Sequence, residues 1–320
     1  MTTIQQATNE WLLAVGSARA KSTHNTYKIG IEAFMRMLED DGIKPTYSVE
    51  KLKEKHLGAF AAYLKPFSTS TEQVYLTALK GFYSFLVAEE YNMLNMERVK
   101  MIIQQRARKP KVRAPEFQEK DIVAVLEKIS KIPLSPTTAA RLRDLRDIAL
   151  ILLLADTGLR IGEACSLKRG DINRKEGTIY VIGKGGKEAT VIFDKRSGLA
   201  LGRYLQERQA LDGEQGKPLD TLPLFSRHDK ATGKVIAPIS TMTGNSIIHK
   251  RVGQVLGKDS PITPHQFRHY FVTMMYRAEG LKFAQESARH TNIQTTLRYT
   301  HLDKSSMKNK QRRALEGKSK

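Results

Sequence analysis

Two arginines, two histidines and a tyrosine stand far apart in this chain yet suit one kind of chemistry. Arg160 occurs in Thr157-Gly158-Leu159-Arg160, and Arg268 closes His265-Gln266-Phe267-Arg268. His290 follows, and Tyr299 lies within Arg298-Tyr299-Thr300-His301. A guanidinium presents a planar fork of donors that matches phosphate oxygens. A pair of arginines can therefore hold a phosphodiester and the added charge of its five-coordinate transition state. Within such a clamp a tyrosine hydroxyl is the natural nucleophile.

Spacing narrows the geometry. His265 and Arg268 are three apart behind Pro264, so at the start of a helix both project from one face; the bland alternative is a solvated His-Arg pair. Arg160 is expected in the turn after a buried helix with its head free to reach a concave surface, against the alternative of an arginine capping that helix's carbonyls. Lys184 falls at the tip of a hairpin in Gly183-Lys184-Gly185-Gly186-Lys187, where the glycines let the backbone turn tightly beside a ligand. A phosphate-binding P-loop does not fit, because no Ser or Thr follows the lysine and no strand-loop-helix surrounds it. Lys187 suits an ordinary polar turn or a DNA contact. His269 points about a hundred degrees away from Arg268 and reads as structural. Tyr180, Tyr270 and Tyr276 read as packing aromatics.

The order of these boxes resembles the tyrosine recombinases of the phage integrase family, the Xer-like two-domain site-specific recombinases among them. The likeness runs through the Arg box with Glu163 one turn on, the Gly183-Lys184-Gly185 hairpin, the His-x-x-Arg box, a second His at 290, and a Tyr nine positions later. It implies a site-specific DNA recombinase that cleaves and rejoins DNA through a 3′-phosphotyrosyl intermediate, with Arg160, Lys184, His265, Arg268, His290 and Tyr299 as catalytic residues. By the same resemblance Lys184 enters the minor groove and protonates the leaving 5′-oxygen. Arg268 is the second clamp, His265 takes or holds the tyrosine proton, and His290 donates to a non-bridging oxygen. Glu163 orients a basic neighbour. One departure stands out: the family often has Leu-Gly before the second His, where this chain has Ala288-Arg289, and Arg289 is expected to add a phosphate contact.

No metal, ATP or other cofactor is expected, since the arginines and lysine supply the charge and the phosphotyrosine retains the bond energy. Exchange between two duplexes takes four cuts, which implies a homotetramer on synapsed double-stranded DNA, with room for accessory proteins. Three other classes compete. A type IB topoisomerase would nick and reseal one duplex, and a telomere-resolving enzyme would form hairpin ends. A non-catalytic DNA-binding protein would have no reason to keep the six residues together.

Composition agrees with a polyanionic partner. The 320 residues carry 53 Lys/Arg against 33 Asp/Glu, a net charge of +20, and nucleic acid is the default partner of such a chain. The first hundred residues hold 12 basic and 11 acidic groups, leaving 41 and 22 for the rest, so the excess sits in the linker and C-terminal part. The single cysteine, Cys165, excludes an internal disulfide and any zinc site built on several thiolates, and fits a reducing cytoplasm. No basic leader precedes the first apolar residues, and the longest apolar run, 148–155, is far short of a membrane span. A cytoplasmic, nucleoid-associated protein is expected, with no membrane partner.

The elements that must position these residues form a mainly α protein: an N-terminal helical core-binding (SAM-like) bundle, then a mostly helical catalytic domain with a small β-sheet. Apolar spacing predicts helices over 4–15, over 22–40 capped by Ser22-Thr23, over 49–64 ended by Pro66, and from Ser68 through 87. With the bundle beginning almost at residue 1, a simple two-domain enzyme is expected, without a further arm-binding domain. Arg106, Arg108, Lys109, Lys111 and Arg113 lie in a proline-bearing stretch read as an extended strap along DNA phosphates. The expected organisation is thus 1–105 as a DNA-clamp domain, 106–115 as a basic linker and 116–320 as the catalytic domain with its tail, the two domains closing around a duplex. Within the latter, helices are expected over 137–155, 161–167, 198–211, 244–256, 264–278 and 282–288, and strands over 178–182 and 189–193. The tail beyond 302 is read either as a short helix docking on a neighbouring protomer or as a disordered basic segment.

Overall fold

A computed structural model describes residues 1–109, 118–183, 186–229 and 233–297. The chain divides into two compact units, 1–112 and 113–320.

The first unit is a helical bundle. Its helices are α1 (Ile4–Ala18), α2 (Lys21–Asp40), α3 (Glu54–Tyr63), α4 (Thr69–Ala88) and α5 (Met96–Arg106). Thr3 and Gln6 cap α1 reciprocally, each side chain accepting the other's backbone N–H, and Ser68 accepts from the Thr71 amide to start α4. Trp11, Phe34, Phe60, Phe82 and Tyr83 fill the centre with tilted and edge-on ring contacts.

Three expectations are corrected here. Helix α2 begins at Lys21 after Ala20 with no side-chain cap, so Ser22 and Thr23 lie inside its first turn. The segment 49–64 is not one helix: a 3₁₀ turn, Val49–Lys51, is followed by extended backbone at Leu52 and Lys53 before α3 starts. Residue 106 does not open an extended strap, because α5 runs through Arg106, with Asn95 capping its start. Arg108 is folded back onto α4. Its amide donates to Glu72 Oε1 at 2.8 Å, its Nε pairs with the other Glu72 oxygen, and its Nη2 reaches the Phe67 carbonyl at 2.7 Å. Glu72 is fully buried, and a buried carboxylate requires such partners.

The second unit contains α6 (Glu119–Lys128), α7 (Thr138–Thr157), α8 (Ile161–Ser166), β1 (Ile172–Asn173), β2 (Thr178–Ile182) and β3 (Glu188–Ile192). They are followed by α9 (Lys195–Glu207), α10 (Gln209–Gly213), α11 (Thr241–Leu256), α12 (Pro264–Glu279), α13 (Leu281–Ser287) and α14 (Ile293–Leu297). The strands form an antiparallel sheet in the order β1-β2-β3, with Ile179 opposite Val191 and Tyr180 opposite Thr190. Ile179, Val181 and Val191 point into the core. Strand β1 and helices α6 and α14 had no counterpart in the sequence reading. Among the described residues no helix is long and apolar enough to cross a membrane.

Helix α7 is the axis of this unit, with Leu150, Ile151, Leu153 and Leu154 wholly inaccessible. It ends at Gly158, whose φ of 60° is left-handed. A Cβ there would also stand 2.3 Å from the Phe271 ring of α12. Only glycine satisfies both demands, and the tight contact seats α12 against the turn that carries Arg160.

Candidate active site

Four of the six expected catalytic side chains are described, and they converge. Arg160 precedes α8, and its backbone N–H donates to Glu163 Oε2 at 2.9 Å while its Nη1 donates to Oε1, also at 2.9 Å. Its guanidinium is about half exposed, at 48%. It does not cap α7. That role falls to Arg268, which is 3% exposed on the first turns of α12. Arg268 Nη1 donates to the Gly158 carbonyl and Nη2 to the Ala288 carbonyl. One buried guanidinium thus ties the turn before Arg160 to the turn before His290.

Helix α12 starts as expected, with Pro264 at its first position, and Thr263 and Gln266 capping it. His265 is exposed on that turn. Its ring meets His269 edge-on with centroids 4.2 Å apart. His269 remains about a hundred degrees around the helix from Arg268, but it is four residues on from His265, and that spacing shares a face.

His290 is 9% exposed, and its Nδ1 lies 2.8 Å from the buried Thr296 hydroxyl of α14. Burial first, then the charges of Arg268, Arg160, His265 and Arg289, push its pKa down to about 4. The imidazole is therefore neutral at physiological pH.

The turn before His290 is a Schellman motif. The His290 amide bonds the Gln285 carbonyl at 3.0 Å and the Arg289 amide bonds the Glu286 carbonyl at 2.9 Å. This places Arg289 at the left-handed position, with φ 55°, where glycine is favoured. The side chain is mostly buried, and its Nη2 donates to Glu163 Oε2 at 2.8 Å. Glu163 thus receives both Arg160 and Arg289. Burial alone would raise its pKa, but the Arg160 amide and the two guanidinium groups outweigh that and hold it below the usual carboxylate range.

Arg160, Arg289, His290 and Thr291 line an open cleft of about 630 Å³ with Gly183, Lys187, Glu188 and Ala189 from the hairpin. The Gly183 amide closes the hairpin on the Lys187 carbonyl at 2.7 Å. A slightly larger cleft, about 690 Å³ over α9, is lined by Arg169, Arg174 and Arg203 and contains none of the candidate residues. Lys184 and Tyr299 lie outside the described residues, as do Lys111 and Arg113. Arg106 and Lys109 are exposed in the first unit, where Arg108 is engaged by Glu72.

Two partners escaped the sequence reading, Thr296 beneath His290 and His269 beside His265. The four-residue spacing of the histidines was available as a signal; the Thr296 contact depends on a turn that no local pattern marked.

Comparison with known proteins gives a consistent result. The profile described as Phage integrase family matches residues 116–306, and that of the phage integrase N-terminal SAM-like domain matches residues 9–90. Tyrosine recombinase XerC of Thermodesulfovibrio yellowstonii is 28% identical over 308 residues, covering 95% of this chain and 94% of that protein. XerC of Actinobacillus pleuropneumoniae is 31% identical over 229 residues, 71% of this chain and 66% of that one. The fold matches a crystal structure of XerH recombinase bound to palindromic difH DNA, with TM-score 0.68 and 22% identity over 89% of this chain and 78% of that chain. It also matches a lambda integrase dimer bound to a COC′ core site, with TM-score 0.64 and 17% identity over 93% and 95% of the two chains.

Proposed function

The chain belongs to the phage integrase family and is a site-specific tyrosine recombinase, and from that premise we propose how its own residues divide the reaction. Tyr299 attacks the scissile phosphorus, forming a 3′-phosphotyrosyl bond while the bond to the 5′-oxygen breaks. The tyrosine proton passes to His265 and the leaving oxygen takes a proton from Lys184. Arg160 and Arg268 hold the non-bridging oxygens, and attack by a 5′-hydroxyl of the partner duplex reverses the step. The observation that carries this reading is the convergence of arginines on His290: Arg268, Arg160 and Arg289 all act on it, Arg160 and Arg289 from the lining of the same cleft and Arg268 from behind it.

His290 serves as a neutral donor. If the Thr296 hydroxyl donates to Nδ1, the ring proton is left on Nε2, where it can reach a non-bridging oxygen without a net charge on the ring. Arg289 and Lys187 add positive potential at the cleft, and Arg106, Lys109, Lys111 and Arg113 follow the flanking phosphates. Arg108 remains a clasp of the first unit. The working assembly on synapsed double-stranded DNA is a homotetramer in the cytoplasm, on the nucleoid, with accessory proteins where the site demands them. Relatives aligned along 95% of the chain are recombinases, which favours strand exchange over the nicking and closing of a single duplex.

The test is incubation with a nicked duplex carrying the target site, recovered by covalent capture from a randomised library. Wild-type protein should accumulate a covalent adduct and Tyr299→Phe should form none. An adduct that persists in Tyr299→Phe would overturn the assignment.

A further inference from the structure

Arg289 occupies a position that its own backbone disfavours. At the left-handed end of the Schellman turn a side chain is crowded and glycine is the usual occupant, yet this chain places there a large cation with its φ at 55°. Something must hold it. The guanidinium reaches across to the Arg160 turn and pairs with Glu163 at 2.8 Å, which also holds the Arg160 amide and guanidinium. Its Nε is buried and has no partner among the described residues, so the Glu163 contact is the polar anchor of the group.

The connection joins two halves of the site that the chain order separates. One half is the turn into α8 with Arg160; the other is the turn after α13 with His290. Arg268 bridges them from behind through two backbone carbonyls. Arg289 and Glu163 bridge them at the cleft itself, beside Gly183 of the hairpin.

We propose that Arg289 is a positioning residue of the cleavage reaction, a latch that uses Glu163 to lock the His290 turn onto the Arg160 turn before DNA arrives. This rests on the reading of the site given above and deepens it: Arg289 acts through Glu163 on the aim of Arg160 and His290. A small misplacement of such groups lowers the rate of a phosphoryl step while leaving the rest of the DNA interface in place. Glycine at this position would relax the backbone and remove only the latch.

The experiment compares Arg289→Gly, Arg289→Lys, Glu163→Gln and the double variant Arg289→Gly/Glu163→Gln by single-turnover cleavage of the captured nicked duplex, with duplex affinity measured alongside. Because Arg289→Gly relieves a strained turn, it should fold at least as well as the parent. Its cleavage rate should fall by about 100-fold, with affinity changed by no more than about threefold. Arg289→Lys should recover much of the rate, and adding Arg289→Gly to Glu163→Gln should cost little more. Cleavage by Arg289→Gly within about twofold of wild type would overturn the latch. So would a loss confined to affinity, or one that persists undiminished in the Glu163→Gln background, since either marks a direct phosphate contact. Failure of the wild-type protein to form a Tyr299 adduct would instead overturn the functional assignment on which the latch depends.

Discussion

On α7, Asp144 and Asp147 face Arg146 and Arg251; just beyond the end of the same helix, Glu163 faces Arg160 and Arg289, with Arg268 behind them. The first cluster is closed. Arg146 pairs with Asp147 at 2.6 Å, and Arg251 spans both aspartates, reaching Asp147 at 2.9 Å. All four residues are buried, two charges of each sign, and the Ser135 amide takes the remaining Asp144 oxygen at 2.7 Å. The second cluster is open. Arg160, Arg289 and the exposed Lys187 line the cleft with Arg268 buried behind it, against Glu163 and Glu188, and the latter sits on the hairpin bonded to Tyr180. Paired one for one, buried charges join α7 to α11; left in surplus around a cleft, the same residue types wait for a phosphate.

Substitutions should separate the two clusters. The largest effect belongs to the open one. Arg160→Ala should lower single-turnover cleavage by about 10³-fold, while its half-exposed ion pair contributes at most ~1 kcal/mol to stability. Asp147→Asn should do the reverse. It leaves two buried guanidinium groups short of a partner, so urea unfolding should show a loss of about 3–5 kcal/mol, with cleavage by the folded fraction unchanged. A large drop in cleavage for Asp147→Asn at full folding would break the comparison.

Smaller effects sharpen it. Thr296→Val removes the hydroxyl beneath His290 and should cost about tenfold in cleavage, the rate equivalent of ~1.4 kcal/mol, with duplex affinity kept. Acid sensitivity follows from two buried histidines. Burial, then nearby arginines, lowers His290 to about 4 and His228 to about 3, from 6.5. Below 6.5 the unfolded chain takes up protons that the folded chain refuses. Stability should therefore be full above pH 6.5 and fall as the pH drops toward 4, by up to ~1.4 kcal/mol per pH unit for each histidine. Chemical unfolding across that range should show a shallower slope in His228→Gln.

Much of this architecture was legible in the sequence, and the reasons are local. Helix α7 announced itself by an unbroken apolar run with Gly158 after it, and the hairpin by β-branched strands around a glycine-rich turn. The boxes around Arg160, His265 and His290 carried enough pattern to be placed together before any fold was known. What was missed depended on contacts distant in sequence. Helix α5, with Val99 its only fully buried residue, shows little apolar periodicity and is held by packing against α3 and α4. Arg108 looks like linker charge until Glu72 is seen beneath it. The turn at Arg289 carries no glycine signal, because an ion pair from another element supports it.

Isolation of the DNA-bound peptide tests the central claim most directly, that these cations surround one phosphate attacked by Tyr299. After trapping on the nicked duplex and digestion with trypsin and nuclease, the residual nucleotide should map by mass spectrometry to the peptide beginning at Tyr299 and ending at Lys304, joined through a 3′-phosphate. A nucleotide on Tyr180, Tyr270 or Tyr276, or one joined through its 5′-phosphate, would contradict it.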